Sequence, residues 1–306
     1  MEILQSDLFI EVAPGEQLHV KRIRQPQAGE AVLLLHGVMA NGRIFYSASG
    51  KGLAHYLARA GFDVFIPDLR GRGASAPAIN RHSRHGQGES IQLDLPAVHS
   101  EILRIKGAGP VHWLAHSWGG VLMTSCLLRY PGLIPQVGNC VYFAAKRSVR
   151  VMNWQRRLQI DLVWNHAAGV IVRLIGFFPA RRLGLGIDNE SARSQRQCNR
   201  WAQGHPWVDE DDGFDYGAAA ARVGLPPILY LAAAADACLG HPEDVRRFCA
   251  ESGPARSCLH LLARTSGHLH DYDHASLLTH ADAPRDHFPL VLRWLRGQYQ
   301  AVSENY

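Results

Sequence analysis

The sequence of 306 residues predicts an α/β fold in which a mostly parallel sheet is doubly wound by helices. Strand-like apolar runs alternate with helical stretches along most of the chain. A sharp turn built from small residues follows one of these runs. The hydrophobic content of 47% is ordinary for a globular protein with a sizeable core.

The predicted elements follow one another in a regular order. Residues 3–12 and 17–24 are predicted to pair antiparallel, because a Pro-Gly turn separates them. Further strands are predicted at 31–36, 63–67, 111–115, 139–145, 227–233 and 257–263, and helices at 50–60, 91–106, 119–130, 242–252 and 285–297. This alternation predicts parallel strands joined by right-handed crossovers. In such sheets ligands bind at the carboxyl ends of the strands.

A candidate nucleophile lies at one of these strand ends. Residues 115–120 read Ala-His-Ser-Trp-Gly-Gly and follow the predicted strand. A serine with small residues two positions before and after it is typical of a nucleophile elbow, because bulky neighbours would clash in so tight a turn. Ala115 stands where the usual form has glycine. The alternative is an ordinary serine at the glycine-rich start of a helix.

Two further motifs precede the elbow. The apolar run at 31–35 ends in His-Gly-Val-Met at 36–39, and the run at 63–67 ends in Asp-Leu-Arg-Gly-Arg-Gly-Ala-Ser at 68–75. In this order, the three motifs resemble the α/β-hydrolase superfamily over nearly the whole chain. The resemblance implies the α/β-hydrolase fold, Ser117 as nucleophile and no cofactor. It also implies an oxyanion hole formed by the backbone N–H groups of Val38 and Trp118.

An acid and a base should follow the serine along the chain. The strand at 227–233 leads into Asp236, where the superfamily places its acid. Glu243 and Asp244 are better interpreted as charges in the first turn of the next helix. The base is predicted to be His274, because its surroundings resemble those of the acid-lipase branch. The generic Gly-His pattern would instead choose His268, and His270 is the third alternative.

About eighty residues between the sixth and seventh strands contain helical stretches and no convincing strand. The resemblance predicts a helical cap at 146–225, inserted into a core formed by 1–145 and 226–306. Residues 146–196 hold ten Lys or Arg and three acids. This basic segment could meet anionic lipid or be a solvated face. Its apolar residues could line the top of a substrate tunnel or form a core within the cap.

The predicted substrate is a small-molecule acyl ester or lipid with an apolar acyl group. The substrate-lining candidates are Met39, His116, Trp154 and Trp164, and no charged side chain is evident near the elbow. A serine nucleophile favours ester hydrolysis by a serine hydrolase of the esterase or lipase type. An acyltransferase, a peptidase and a catalytically inactive binding protein are the alternatives.

Other partners and sites are not expected. The sequence pI is about 9.0, but no nucleic-acid recognition motif accompanies it. No integral membrane segment is predicted, because no apolar run reaches about 18 residues. The six cysteines lack metal-site spacing. Since the first residues do not resemble a secretory signal, we expect a cytoplasmic location. The oligomeric state has no evident determinant in the sequence.

Overall fold

The computed structural model describes residues 2–156, 167–253 and 256–299, and an eight-stranded sheet lies at its centre. The strands are β1 (Leu4–Ala13), β2 (Glu16–Arg24), β3 (Ala31–Leu35), β4 (Asp63–Pro67), β5 (Val111–His116), β6 (Val137–Phe143), β7 (Ile228–Ala233) and β8 (Ser257–Leu262). Their spatial order is β1-β2-β4-β3-β5-β6-β7-β8. β2 pairs antiparallel with both β1 and β4, and all other pairs are parallel. The prediction of a mostly parallel sheet is therefore confirmed.

Helices cover both faces of the sheet. The longer ones are α1 (Leu53–Arg59), α2 (Leu95–Lys106), α3 (Trp118–Arg129), α4 (Ala168–Ile175), α5 (Ala192–Ala202), α6 (Tyr216–Ala220), α7 (Pro242–Glu251) and α8 (Phe288–Leu295). Short helices occupy Gln87–Glu89, Trp154–Arg156 and Ser276–Thr279, and a π-helical turn over Ser90–Asp94 leads into α2. The helices α1 and α8 belong to one buried cluster, and α2, α3 and α7 belong to the other.

The strand β3 illustrates why the central strands read as continuous apolar runs. Val32 and Leu34 lie in the cluster with α1 and α8, whereas Leu33 and Leu35 lie in the opposite cluster. Successive side chains of a strand point to opposite faces, so a strand covered on both sides needs apolar residues at every position.

Strand β6 ends two residues earlier than the sequence predicts. The prediction ran to residue 145, but Ala144 has a φ of 49° and leaves the extended conformation after Phe143. The N–H of Ala144 still donates to the carbonyl oxygen of Leu231, at 2.8 Å. The chain therefore turns out of the sheet at Ala144, beside β7.

The 146–225 segment adds no strand to the central sheet within its described residues. It contains α4, α5, α6 and a short antiparallel pair, Phe177–Phe178 with Glu190–Ser191, which the sequence did not predict. Trp201, Trp207 and Tyr216 are buried together, with ring centroids 5.5 to 6.3 Å apart. They share a buried cluster with α2 and α3. The boundaries of this segment as a separate cap stay a prediction.

Among the residues that the structure describes, no helix combines the length and apolar character that crossing a membrane requires.

Candidate active site

Ser117 lies in the turn between β5 and α3, in a conformation that residues other than glycine rarely adopt. Its φ is 54° and its ψ is −125°. The N–H of Ser117 donates to the carbonyl oxygen of Phe143, at 2.8 Å, which fixes the turn against β6. Such a backbone conformation costs about 1–3 kcal/mol and persists only where the surroundings impose it. Contacts with the surrounding residues therefore impose this backbone conformation on Ser117.

The glycines of the motifs are required by close packing around this turn. A Cβ atom on Gly119 would lie 2.6 Å from the carbonyl oxygen of Leu35. A Cβ atom on Gly37 would lie 2.9 Å from the Cβ atom of Ser117. The end of β3 and the turn after β5 thus approach too closely for side chains, which explains why the sequence has glycine at both positions.

The structure brings Ser117, Asp236 and His274 into direct contact. The Nε2 atom of His274 lies 2.9 Å from Oγ of Ser117, and its Nδ1 atom lies 2.5 Å from Oδ2 of Asp236. Ser117 is only 7% exposed and Asp236 is buried. In this arrangement the ring can accept the serine proton while its other N–H donates to the carboxylate.

The Asp236 carboxylate follows β7 and is stabilised in its ionised form. Burial alone would raise its pKa, but the nearby charge of His274 and the hydrogen bond from its ring, with other donors, lower the pKa of Asp236 below its usual value. The Oδ1 atom accepts a hydrogen bond from the N–H of Leu239 at 2.9 Å. An ionised carboxylate holds the imidazole in one tautomer and stabilises the imidazolium.

The two alternative histidines have other partners. The Nδ1 atom of His268 lies 2.9 Å from Oδ1 of Asp286, and its Nε2 atom lies 2.8 Å from the ring of His260. The Nε2 atom of His270 lies 2.7 Å from Oδ2 of Asp282. Of these three loop histidines, His274 is the one whose ring contacts the elbow.

His116 was expected to line the substrate site, but it is buried and supports His274. Its Nε2–H donates to the carbonyl oxygen of His274 at 2.8 Å, and the two ring centroids are 4.7 Å apart. Burial lowers the pKa of His116 to about 3. A neutral ring that donates from Nε2 fixes the backbone of His274, and the expected lining role is corrected on this ground.

His36 connects the ends of β3 and β4. Its Nδ1–H donates to the carbonyl oxygen of Gly37 at 2.8 Å, and its Nε2 atom accepts from the N–H of Leu69 at 3.1 Å. Burial lowers the pKa of His36 to about 4. The neutral ring therefore helps to position the backbone that leads into Val38.

Four histidines with lowered pKa values, two of them described above, predict that the protein loses stability in acid. His36, His116, His85 and His287 all have pKa values lowered by burial, to about 4, 3, 4 and 4. In the unfolded chain they would bind protons below about pH 6.5, so the free energy of unfolding should fall as the pH drops below that value. For His36 the loss approaches about 3 kcal/mol near pH 4. Urea unfolding at about pH 7.5 and about pH 4.5 measures this, and equal stability at both would contradict it.

The loop after β3 is held by the distant segment 186–190. Met39 has a φ of 53°, and its N–H donates to Oε2 of Glu190 at 3.1 Å. Its carbonyl oxygen accepts from the N–H groups of Ile187 and Asp188 at 2.9 and 3.1 Å. Glu190 is fully buried and forms an ion pair with Arg72. Sequence patterns do not identify this contact between Arg72 and Glu190.

A second group of contacts fixes the same loop. The Oδ2 atom of Asp188 accepts from Nδ2 of Asn41 at 2.6 Å and from the N–H of Gly73 at 2.7 Å. A Cβ atom on Gly186 would lie 2.6 Å from Cβ of Met39. Segment 186–190 therefore packs directly against the residue that follows Val38.

The remaining lining candidates occupy different environments. Met39 is partly buried, whereas the Trp154 residue is 69% exposed. Trp164 lies outside the described residues. The predicted oxyanion-hole residues Val38 and Trp118 both border a cavity of about 10 Å³ next to the elbow.

A larger polar cleft lies beside this loop. It has a volume of about 940 Å³, and Asp7, His19, Lys21, Arg43 and Arg181 are among its lining residues. Ser117, Asp236 and His274 do not line it. Its size alone therefore does not make it the reaction site.

One cluster has the residue types of a metal site. The ligand atoms of His270, His280 and Asp282 lie within 4.8 Å of one another. However, Nδ1 of His280 accepts from the N–H of Asp282 at 3.1 Å, and Asp282 is also paired with Arg285 at 2.6 Å. These contacts occupy potential ligand atoms of His280 and Asp282.

Residues 30–161 match a family model described as the alpha/beta hydrolase fold. Sterol esterase 2 of Saccharomyces cerevisiae is 31% identical over 97 residues, which are 29% of this chain and 18% of that enzyme. The matched segment is therefore less than a fifth of the yeast enzyme.

Two solved structures resemble the chain over nearly its whole length. A thermophilic esterase from Thermogutta terrifontis is 17% identical with a TM-score of 0.57, covering 97% of this chain and 100% of that one. The carboxylesterase CesB from Bacillus subtilis is 16% identical with a TM-score of 0.59, covering 96% and 92%. At these identities the likeness establishes the fold. Its sheet order, its elbow and the family model matched by residues 30–161 agree in giving the chain the α/β-hydrolase fold.

Proposed function

We propose that the protein is a serine hydrolase that cleaves carboxylic esters through an acyl-enzyme intermediate. The contact of His274 with both Ser117 and Asp236, at 2.9 and 2.5 Å, is the observation that carries this proposal. His274 takes the proton from Ser117 as Oγ attacks the carbonyl carbon, and it then donates that proton to the departing alcohol. Water releases the acyl group by the same path. The names of the yeast relative and of both solved structures agree with this class.

The negatively charged oxygen of the tetrahedral intermediate must be stabilised by hydrogen-bond donors. The N–H of Trp118 lies at the first position of α3, where a helix provides no acceptor of its own. We assign it and the N–H of Val38 to the oxyanion hole. Loss of one such donor typically costs roughly 3–4 kcal/mol of transition-state stabilisation.

Glu190→Gln is expected to lower kcat on the order of tenfold with little change in KM. The variant weakens the bond to Met39 and the pair with Arg72, and a displaced Val38 N–H would mainly affect the transition state. Rates are measured per active site titrated with a fluorophosphonate, which corrects for unfolded protein. Glu101→Gln on the surface of α2 is the matched control. An unchanged kcat would contradict this role of Glu190.

We infer that segment 146–225 covers the site as a lid and that the acyl group is apolar. Each buried methylene contributes about 0.8 kcal/mol, so each added CH₂ should raise kcat/KM up to about fourfold until the pocket is full. A panel of p-nitrophenyl esters from C2 to C16 tests this, with an optimum expected at about C4 to C10. Activity that falls steadily from C2 would refute the apolar pocket. Preferred cleavage of aminoacyl amides would favour the alternative that the protein is a peptidase. Transfer of the acyl group to an added alcohol would favour the alternative that it is an acyltransferase.

An exposed apolar and basic surface favours contact with lipid as an additional property. Leu174 is 79% exposed, and Val170, Ile175, Leu183 and Leu185 are also exposed. The exposed Arg173, Arg181 and Arg182 lie among them. Exposed apolar side chains can mark an interaction site, and arginines near them in the sequence suit an anionic bilayer surface.

Vesicle sedimentation tests this contact. Binding to phosphatidylglycerol vesicles is expected to exceed binding to phosphatidylcholine vesicles and to weaken in salt. Leu174→Asp should reduce it, while Leu93→Asp, at an exposed leucine beside α2, should not. Equal binding by both variants would refute the assignment.

A further inference from the structure

Lys146 is a buried cation without an anionic partner among the residues that the structure describes. It follows β6 and is 8% exposed. Its Nζ atom lies 5.4 Å from the centroid of the Trp118 ring, a cation–π contact. Burying a charge is costly unless it is paired. An anionic ligand that reached Lys146 would therefore offset part of this cost.

Other buried cations of this region are paired. Arg72 forms an ion pair with Glu190, and Arg147, the next residue after Lys146, pairs with Glu251. Arg70 pairs with both Glu16 and Asp94. Lys146 differs from these three arginines because it forms no ion pair within the described part of the chain, where its Nζ atom lies over the aromatic face of Trp118.

The sheet order places Lys146 beside the proposed reaction centre. Strand β6 lies between β5, which leads into Ser117, and β7, which leads into Asp236. Parallel strands present their carboxyl ends at the same edge, so the chain leaving β6 emerges between the nucleophile and the acid. In agreement with this, the charge of Lys146 contributes to lowering the pKa of Asp236.

We propose that Lys146 binds an anionic group carried by the ester substrate, a carboxylate or a phosphate, in addition to the apolar part of that substrate. The inference rests on the proposed ester hydrolysis. The ammonium has three donors for such a group, and the Trp118 face holds it in place. In the described part of the chain Lys146 forms no ion pair with Asp236, whose Oδ2 accepts from His274 and whose Oδ1 accepts from Leu239.

Matched substrate pairs test this proposal. On the acyl side, mono-p-nitrophenyl adipate is compared with p-nitrophenyl heptanoate. On the alcohol side, 4-acetoxybenzoate is compared with 4-acetoxybenzamide. For one pair, the wild-type kcat/KM should favour the anion on the order of 10- to 100-fold, as for hydrogen bonds to charged groups. The pair that responds identifies the side of the ester that carries the charge.

Lys146→Met should reduce that ratio to about one, because methionine keeps the bulk and removes the charge. Lys51→Met, at an exposed lysine, is the matched control and should keep the wild-type ratio. In the wild type, the preference should also weaken as salt is added, a measurement that needs no variant.

Two outcomes would overturn the proposal: equal wild-type rates within both pairs, or a uniform loss in Lys146→Met that leaves the ratio unchanged. The second outcome would assign Lys146 to the ionisation of Asp236. If instead the wild type hydrolyses none of these esters and resists a fluorophosphonate, the proposed hydrolase function itself fails.

Discussion

Ser117→Ala is expected to lower kcat for p-nitrophenyl ester hydrolysis on the order of 10⁴- to 10⁶-fold without loss of the fold. The change removes the attacking Oγ atom and the proton that His274 receives. Alanine faces the same backbone restriction at φ 54° as serine does, so the turn is kept. Steady-state rates and urea unfolding curves measure the two effects separately.

Ser100→Ala, at an exposed serine of α2, is the control for this variant and should retain wild-type rates. If purified Ser117→Ala kept more than a few per cent of the wild-type rate, another nucleophile would have to be sought.

His274→Ala should be as damaging as Ser117→Ala, because the two residues act as one unit. For the same reason the double variant should lose little more than either single variant. His268→Ala should keep most of the activity and instead lose about 1–2 kcal/mol of stability, since it removes hydrogen bonds to Asp286 and His260. Rates and unfolding free energies of the wild type and of these four variants are compared.

The reverse pattern, with His268→Ala inactive and His274→Ala active, would favour the generic Gly-His position. It would require the loop after β8 to place His268 against Ser117 in the working enzyme.

The central strands could be predicted because burial on both faces requires apolar residues at consecutive positions of the sequence. A strand such as β3 that is buried on both faces needs an apolar residue at every position, and the sequence displays that directly. Gly37 and Gly119 could be recognised because each lies where a Cβ atom would collide with the elbow or its neighbouring strand. The end of β6 was misplaced because nothing in the sequence marks the left-handed turn at Ala144.

Contacts between distant segments could not be predicted in this way. Glu190 and Met39 are 151 residues apart, and their hydrogen bond depends on how the 146–225 segment folds back. His116 is adjacent to Ser117 in sequence, but its role follows from the carbonyl group of His274 that its ring reaches. The sequence also suggested that no charged side chain lies near the elbow. Lys146 corrects this, because sheet order rather than sequence distance brings it to Trp118.

The charge of Lys146 bears on the proposed chemistry in a second way. Its charge acts on the Asp236 carboxylate that contacts His274, so a substrate anion bound to Lys146 would weaken that effect. If Lys146 binds the substrate anion, Lys146→Met should change the ratio of rates within a substrate pair. If Lys146 instead supports the ionisation of Asp236, the variant should lower both rates equally.

Labelling with a fluorophosphonate, read by mass spectrometry of the intact protein and of its peptides, tests the central claim most directly. The reagent reacts with a serine only when a neighbouring base activates it. We predict one adduct per chain, located on Ser117, and a labelling rate reduced by orders of magnitude in His274→Ala. An unlabelled wild-type protein, or an adduct on a residue other than Ser117, would contradict the proposed serine hydrolase mechanism.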